Sequence, residues 1–378
     1  MIHKVKKIFE LEAATGILLF IATIAALLVA NSDGFVIYQN FFSQKFLNLN
    51  ITHWINDLLM AIFFLLIGLE LKEEVLSGEL STKSRAILPA IAACGGVIFP
   101  ALIFYFYNFD QSQNLRGFAI PTATDIAFAY GVICLFGKKI SKSLKVFLIS
   151  LAIFDDLAAI LIIAFFYSQN LNLVYLALNI FPIFGLIILN RRGSVTIASY
   201  LLFGALMWWL TLRSGIHPTV AGVVMAMFIP QRKNLLKNLI KKIAPTVNFL
   251  ILPIFAFANS GVKIDDFSLE IFSEPLFLGI FCGLFFGKQI GVMLCSFVAI
   301  KLKLAHLPRD SSWMQFYGVT ILTGIGFTMS FFIGSLAFVG SNLLFDQVKI
   351  AVLLASFSAA VAGSFVIFLS LLKTKKPC

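Results

Sequence analysis

The sequence predicts an all-α integral membrane protein of about 12 transmembrane helices, two of them discontinuous. Three observations predict it. The chain of 378 residues is 60% hydrophobic and only 12% charged, unlike a globular domain. Its apolar residues gather in runs long enough to cross a ~30 Å hydrocarbon core at ~1.5 Å rise per residue. The loops between the runs alternate in basic charge, as loops on opposite sides of a bilayer do.

Taken in order, the expected spans are Leu11–Ala30, Trp54–Leu76, Ala86–Tyr107, Phe118–Phe136, Leu144–Tyr167 and Leu171–Leu189. They continue as Val195–Leu212, Gly215–Ile229, Val247–Val262, Pro275–Ile300, Phe316–Val339 and Leu343–Leu372. Leu11–Ala30 is too long an apolar run for a cleavable signal and lacks a clear small-residue cleavage site, so it is expected to be the first span.

Of the 29 lysines and arginines, 23 fall on one side of this arrangement. They include Lys4, Lys6 and Lys7, the group from Lys138 to Lys145, Arg191 and Arg192, the group from Arg232 to Lys242, and Lys373, Lys375 and Lys376. The positive-inside rule then places both termini in the cytoplasm. The net charge of +11 does not point to nucleic acid, because the basic residues lie between spans and form no single face. Four of the five cysteines lie inside apolar spans and Cys378 is terminal. There is no CxxC or His/Cys spacing, so neither a disulfide framework nor a zinc site is expected.

The fourth span carries Ala119-Ile120-Pro121-Thr122-Ala123-Thr124-Asp125, and the eleventh carries Leu322-Thr323-Gly324-Ile325-Gly326-Phe327-Thr328. Pro121 removes a backbone donor, and Gly324 and Gly326 weaken helix continuity. Each broken span belongs to a block of three, residues 86–168 and 275–372. Interrupted helices in corresponding places of two halves point to the binding site of a transporter with inverted repeats.

The fifth span holds the residues that the others serve. Apart from Asp155 and Asp156, the stretch Val146–Tyr167 carries no charge. One ionised carboxylate at a helix centre costs roughly 2.5–3.5 kcal/mol on insertion scales. Two adjacent ones cost more, and their side chains project about 100° apart, so one narrow seam cannot hide both. The doublet is expected to bind cations or exchange protons; the alternative is a buried pair neutralised by structural partners. Lys288 lies mid-span, more than three helical turns or roughly 18 Å from the next basic residue, Lys301. It is too deep to snorkel, so a Lys288–carboxylate ion pair is expected. A cation arriving at the acids would weaken that pair. Asp125 has two readings: it offsets the half-dipoles of the broken helices, or it ligates an ion with Thr124 as helper. Oxygen-only ligands suit a small hard cation, sodium or lithium, and coupled acids also suit protons.

Charge near span ends is less specific. Glu70 and Glu74 close the second span, either as a solvated helix end or as an acidic funnel that gathers cations and senses pH. His217 opens the eighth span; its unperturbed pKa lies near neutrality, and its role is pH response or ordinary structure.

Several long motifs in one order resemble the NhaA-type sodium/proton antiporter family. They are Trp54–Asp57, Phe63–Glu70, Ile120–Ala129, Leu151–Ile160, Ser214–His217, Leu252–Gly261, Phe286–Lys288, Lys303–Pro308 and Gly324–Ser330. The resemblance covers nearly the whole chain. Members of this family are among the cases from which the inverted-repeat rule was drawn.

The resemblance implies one transmembrane transporter domain over 1–378. Residues 86–168 and 275–372 would form the inverted-repeat core bundle, and 11–76 and 171–262 the interface and dimerisation panel. Spans 4 and 11 would cross at their breaks. Asp155 and Asp156 would bind Na+, Li+ or H+ in alternation, Lys288 would pair with Asp155, and Asp125 and Thr124 would sit at the crossing. Glu70 and Glu74 fall where the family gathers pH-sensing charges. Electrogenic exchange, a bacterial inner-membrane location among lipid, a homodimer and no cofactor are further implications. The chain departs from the family at Glu73, at Asn248, at Gln289 where proline is usual, and in the short loop Asn31–His53. These departures bear on pH set-point and dimer strength, not on exchange.

The expectation is therefore a secondary active transporter rather than an enzyme. A cation channel would favour a symmetric ring of ligands over one offset Asp-Asp-Lys cluster. A sodium-coupled symporter of an organic solute would need a larger polar cavity. No Ser/Lys, His-Glu-x-x-His or Gly-x-Ser-x-Gly pattern supports intramembrane enzymology.

Overall fold

The computed structural model describes residues 2–47, 49–168, 170–194, 196–231, 234–264 and 269–373, with 2–13 as backbone alone. Val195, Arg232, Lys233, Lys375, Lys376 and Cys378, which figured in the spans, charge pattern and cysteines above, lie outside the described residues. The chain is a succession of helices. These are α1 (Ile2–Ala30), α2 (Phe35–Ser43), α3 (Ile51–Ser77), α4 (Lys83–Asn108), a 3₁₀ segment Asn114–Thr122, α5 (Ile126–Cys134), α6 (Lys142–Phe166) and α7 (Leu173–Arg191). They continue as α8 (Ile197–Ser214), α9 (Thr219–Phe228), α10 (Leu235–Ser260), α11 (Pro275–Lys301), α12 (Trp313–Leu322), α13 (Phe327–Ala337) and α14 (Asn342–Lys373).

Nine helical stretches among the described residues are long and apolar enough to cross a membrane, and the pair Ala14–Ala30 and Phe35–Ser43, counted as one span, makes ten. Every expected span falls on a helix, and the protein is an all-α, multi-pass membrane protein. Two boundaries differ by many residues. Helix α1 begins at Ile2, not Leu11, and α10 begins at Leu235, not Val247. The opening of α10 buries Leu235, Leu236 and Leu239 and exposes Lys237, Lys241 and Lys242, so it is amphipathic, not apolar. A hydropathy window passes over such a helix. The loop 31–53 contains α2 and a minimal antiparallel hairpin, with Lys45 opposite Asn50 and Phe46 opposite Leu49.

The helices form two compact units. One comprises Met1–Asp33, Thr82–Ala159 and Asn259–Cys378. Within it α4 and α11 pack backbone to backbone. A Cβ on Gly95 would strike the carbonyl oxygen of Gly291, and one on Gly291 would strike that of Gly95. Small residues permit this approach where no hydrophobic force draws helices together in lipid. Helix α11 also contains a wide π turn, Gly283–Gly287, in which the Lys288 amide bonds to the Gly283 carbonyl. Pro121 packs on Gly283, and Gly287 lies on the backbone of Pro100. The segment Trp313–Ala337 is almost wholly buried.

The other unit comprises Gly34–Ser81 and Ile160–Ala258. Helices α3 and α9 meet through Gly68 beside Ala226 and Gly222 beside Ala61 and Leu65. The core around them joins Leu65, Leu69, Leu186, Met207, Met225 and Leu236. The Tyr38 hydroxyl donates to the Phe257 carbonyl (2.6 Å) and ties α2 to α10.

Candidate functional site

The site is built where the two broken segments of the first unit meet. The 3₁₀ segment containing Pro121 ends at Thr122, and Ala123 to Asp125 run extended before α5 begins. Helix α12 stops at Leu322 and α13 starts at Phe327. The two breaks bond to one another: the Asp125 amide donates to the Ile325 carbonyl (2.7 Å). The Ser330 hydroxyl donates to the Ile120 carbonyl (2.8 Å). Gly326 has a negative φ, so glycine is not required there for a left-handed backbone. A Cβ on Gly324 would meet the Leu284 carbonyl oxygen at 2.5 Å, and one on Gly326 the Leu284 side chain at 2.7 Å. Gly324 and Gly326 thus let the break press onto the wide turn of α11.

Asp125 caps two helices at once. Its Oδ1 accepts from the Phe128 amide (3.0 Å) at the start of α5. Its Oδ2 accepts from the Thr328 amide (3.1 Å) and the Thr328 hydroxyl at the start of α13. Ser356 of α14 assists by accepting from the Gly326 and Phe327 amides, each at 3.2 Å. A helix N-terminus carries roughly half a positive charge, and one carboxylate here faces two of them. These bonds favour the electrostatic reading of Asp125 over ion ligation.

Asp155 differs. Its Oδ2 is 2.5 Å from Lys288 Nζ and accepts from the Thr124 hydroxyl (2.7 Å). Its Oδ1 is buried and has no hydrogen-bond partner among the described residues. The Thr124 oxygen is also 2.8 Å from the Thr323 carbonyl. A hydroxyl has one proton, so Thr124 can donate to only one of these acceptors at a time. Asp156 is equally buried. Lys288 itself is fully buried. Pro121, Thr124, Asp125, Asp155, Asp156, Lys288, Gly324 and Gly326 therefore belong to one cluster or its immediate support. Among the described residues no group of three or more His, Cys, Asp or Glu side chains could hold a metal ion.

Glu70, Glu74 and His217 belong to the other unit. Glu74 accepts from the Glu79 amide (2.8 Å) and so braces the end of α3. Neighbouring Glu73 pairs with Lys237 at 3.5 Å. Lys72 donates to the carbonyls of Met227 (2.5 Å) and Ile229 (2.7 Å), closing α9. His217 engages both ring nitrogens, Nε2 with Asp57 (3.3 Å) and Nδ1 with the Thr219 hydroxyl (2.7 Å). Two participants escaped sequence reasoning. Thr328 lay in a motif read for its breakers and small hydroxyl residues but was given no role of its own, and Ser356 sits in an apolar helix where nothing in its spacing marks it.

Ionisable groups buried where two interrupted membrane helices meet define a class, the secondary transporters, and NhaA-type proteins are themselves founding cases of that generalisation. Similar proteins narrow the class. The chain is 49% identical over 375 residues to the Na+/H+ antiporter NhaA of Pelagibacter ubique, covering 96% of each. It is 51% identical over 358 residues to Na+/H+ antiporter NhaA 2 of Pseudomonas syringae pv. tomato, covering 93% of this chain and 92% of that one. It is 46% identical over 378 residues to the NhaA antiporter of Mesorhizobium japonicum, covering 97% and 94%. Residues 6–367 match the family described as Na+/H+ antiporter 1, and the chain belongs to that family of transporters.

Proposed function

We propose that the chain is an electrogenic, pH-regulated sodium (or lithium)/proton antiporter that works by alternating access. Na+ leaves the cytoplasm as H+ enters, across a bacterial inner membrane, with both termini cytoplasmic. Twelve spans, a core of inverted repeats at 86–168 and 275–372, crossing of spans 4 and 11, and a panel at 11–76 and 171–262 that forms a homodimer complete the reading. Family membership supports the exchange. The observation that carries the site is the unsatisfied Asp155 Oδ1 beside buried Asp156. A buried carboxylate oxygen without a donor is costly to keep, so it calls for a cation or a proton.

Asp155 and Asp156 would supply the charged oxygens for Na+ or Li+, and Lys288 would hold Asp155 when no cation is bound. The two states oppose one another, because a Na+ on Asp155 Oδ1 and an ammonium on Oδ2 are like charges held close in a buried, low-dielectric site. Asp125 would hold the crossing rigid while the charge at Asp155 changes. Glu70, Glu74 and His217 would tune the response to pH. The test is Asp156→Asn in everted vesicles. Na+- or Li+-dependent proton movement should disappear, and its retention would refute the site.

A further inference from the structure

We infer that Gln289 is a positioning residue for Lys288, an inference that rests on the antiport reading above. Lys288 follows the wide turn Gly283–Gly287, a backbone form that displaces carbonyls from the regular ladder. Gln289 is only 7% exposed. Its Nε2 donates to the Phe285 carbonyl of that turn at 2.6 Å. Its Oε1 accepts from the Tyr317 hydroxyl of α12 at 2.8 Å. Adjacent helical residues project about 100° apart, so Lys288 reaches Asp155 while Gln289 reaches the other way.

These bonds close a ring. Asp155 holds Lys288, and Lys288 continues into Gln289. Gln289 holds Tyr317, and α12 runs on from Tyr317 to Leu322, with Thr323 the residue after it. The Thr323 carbonyl contacts the Thr124 hydroxyl, which is itself bonded to Asp155. Apolar Ile290, Met293 and Leu294 line the groove beside the amide, and among the described residues lining it Tyr317 is the only other polar side chain. The clip therefore couples the lysine's turn to the break that carries the other contact on Asp155. On this inference the clip, present in the lysine-paired arrangement, breaks when the lysine leaves Asp155, and so stabilises that arrangement against the cation-bound one.

The experiment measures Na+-dependent proton exchange in proteoliposomes at one alkaline pH. It compares wild type, Gln289→Leu, Tyr317→Phe, the double variant and Asp156→Asn. Tyr317→Phe removes a single hydroxyl and preserves the ring, so it guards against a folding artefact. Each single variant should lower half-saturating Na+ by about three- to tenfold, the size of one net hydrogen bond, with maximal rate held within about twofold. The double variant should match a single one, because both break the same clip. Unchanged or raised half-saturation, a fall in rate alone, or additive effects would overturn the inference. With wild type active and Asp156→Asn inactive, such a result sinks the clip alone. An inactive wild type or an active Asp156→Asn sinks the antiport reading and the clip together.

Discussion

Replacing Gly95 by alanine tests whether backbone contact sets the place of Lys288. A Cβ at Gly95 would strike the Gly291 carbonyl oxygen and stand 2.8 Å from its carbonyl carbon and 2.7 Å from Cys295 Sγ. The cysteine can rotate away, but the carbonyl cannot. Non-bonded carbons prefer about 3.5 Å or more, so α4 and α11 must part by roughly 0.7 Å. Overpacking of this kind costs about 1–3 kcal/mol, occasionally more. Gly291 lies three residues after Lys288, on the same side of the helix. The displacement therefore reaches the amine, whose contact with Asp155 is 2.5 Å. Gly95→Ala should lower the melting temperature in detergent and change half-saturating Na+ in proteoliposomes. Gly340→Ala is the control. Gly340 has φ +83° and nothing within 4 Å of a Cβ among the described residues, so it is strained but not crowded. It should lose about 1–2 kcal/mol of stability and leave exchange intact. A Gly95→Ala protein with wild-type melting and wild-type Na+ dependence would refute the packing argument.

Two further outcomes follow from the hydrogen bonds. Thr124→Val leaves the Thr323 carbonyl without that hydroxyl and Asp155 Oδ2 with Lys288 alone. A buried acceptor left unmet costs about 1–3 kcal/mol, so thermal stability and Na+-dependent exchange should both fall, and Thr124→Ser should restore them. Indistinguishable serine and valine variants would rule out a role for the hydroxyl. Asp125→Asn keeps an acceptor for one helix start but turns an amide donor toward the other; Asp125→Ala loses both caps. At about 0.5–2 kcal/mol per cap, stability should rank wild type, Asn, Ala in falling order. An alanine variant as stable as wild type would show that the double cap contributes nothing.

Much of this was legible in the sequence, because lipid imposes a simple code. A run such as Leu144–Tyr167 declares itself by length, and charges inside it stand out because hydrocarbon tolerates so few. Asp155, Asp156 and Lys288 were found that way, and the Lys288–Asp155 pair lies where a carboxylate partner was expected. The opening turns of α10 were missed for the converse reason. Their lysines break the apolar run although Leu235, Leu236 and Leu239 keep a buried face. Helix α2 was missed because nine residues between a turn and a hairpin are too few for a reliable period. The wide turn at Gly283–Gly287 left only glycines as its mark, and glycine in a membrane helix equally signals close packing.

What sequence could not decide was how many hydrogen-bond donors each buried acid receives. Asp125 and Asp155 have the same side chain, similar burial and a hydroxyl neighbour each. They differ in how many donors the folded chain brings to them, which depends on segments some 200 residues away along the chain. Asp125 receives three bonds and both its oxygens are engaged. Asp155 receives two, both on one oxygen, and one of these comes from a hydroxyl shared with a carbonyl. A saturated carboxylate has little to gain from a cation, whereas an unsaturated one gains its missing partner. On the proposed antiport reading, buried Lys288 supplies to Asp155 the positive charge that an ion would otherwise supply. On that reading an acid that alternates partners is left one bond short, and Asp155 Oδ1 has no hydrogen-bond partner among the described residues.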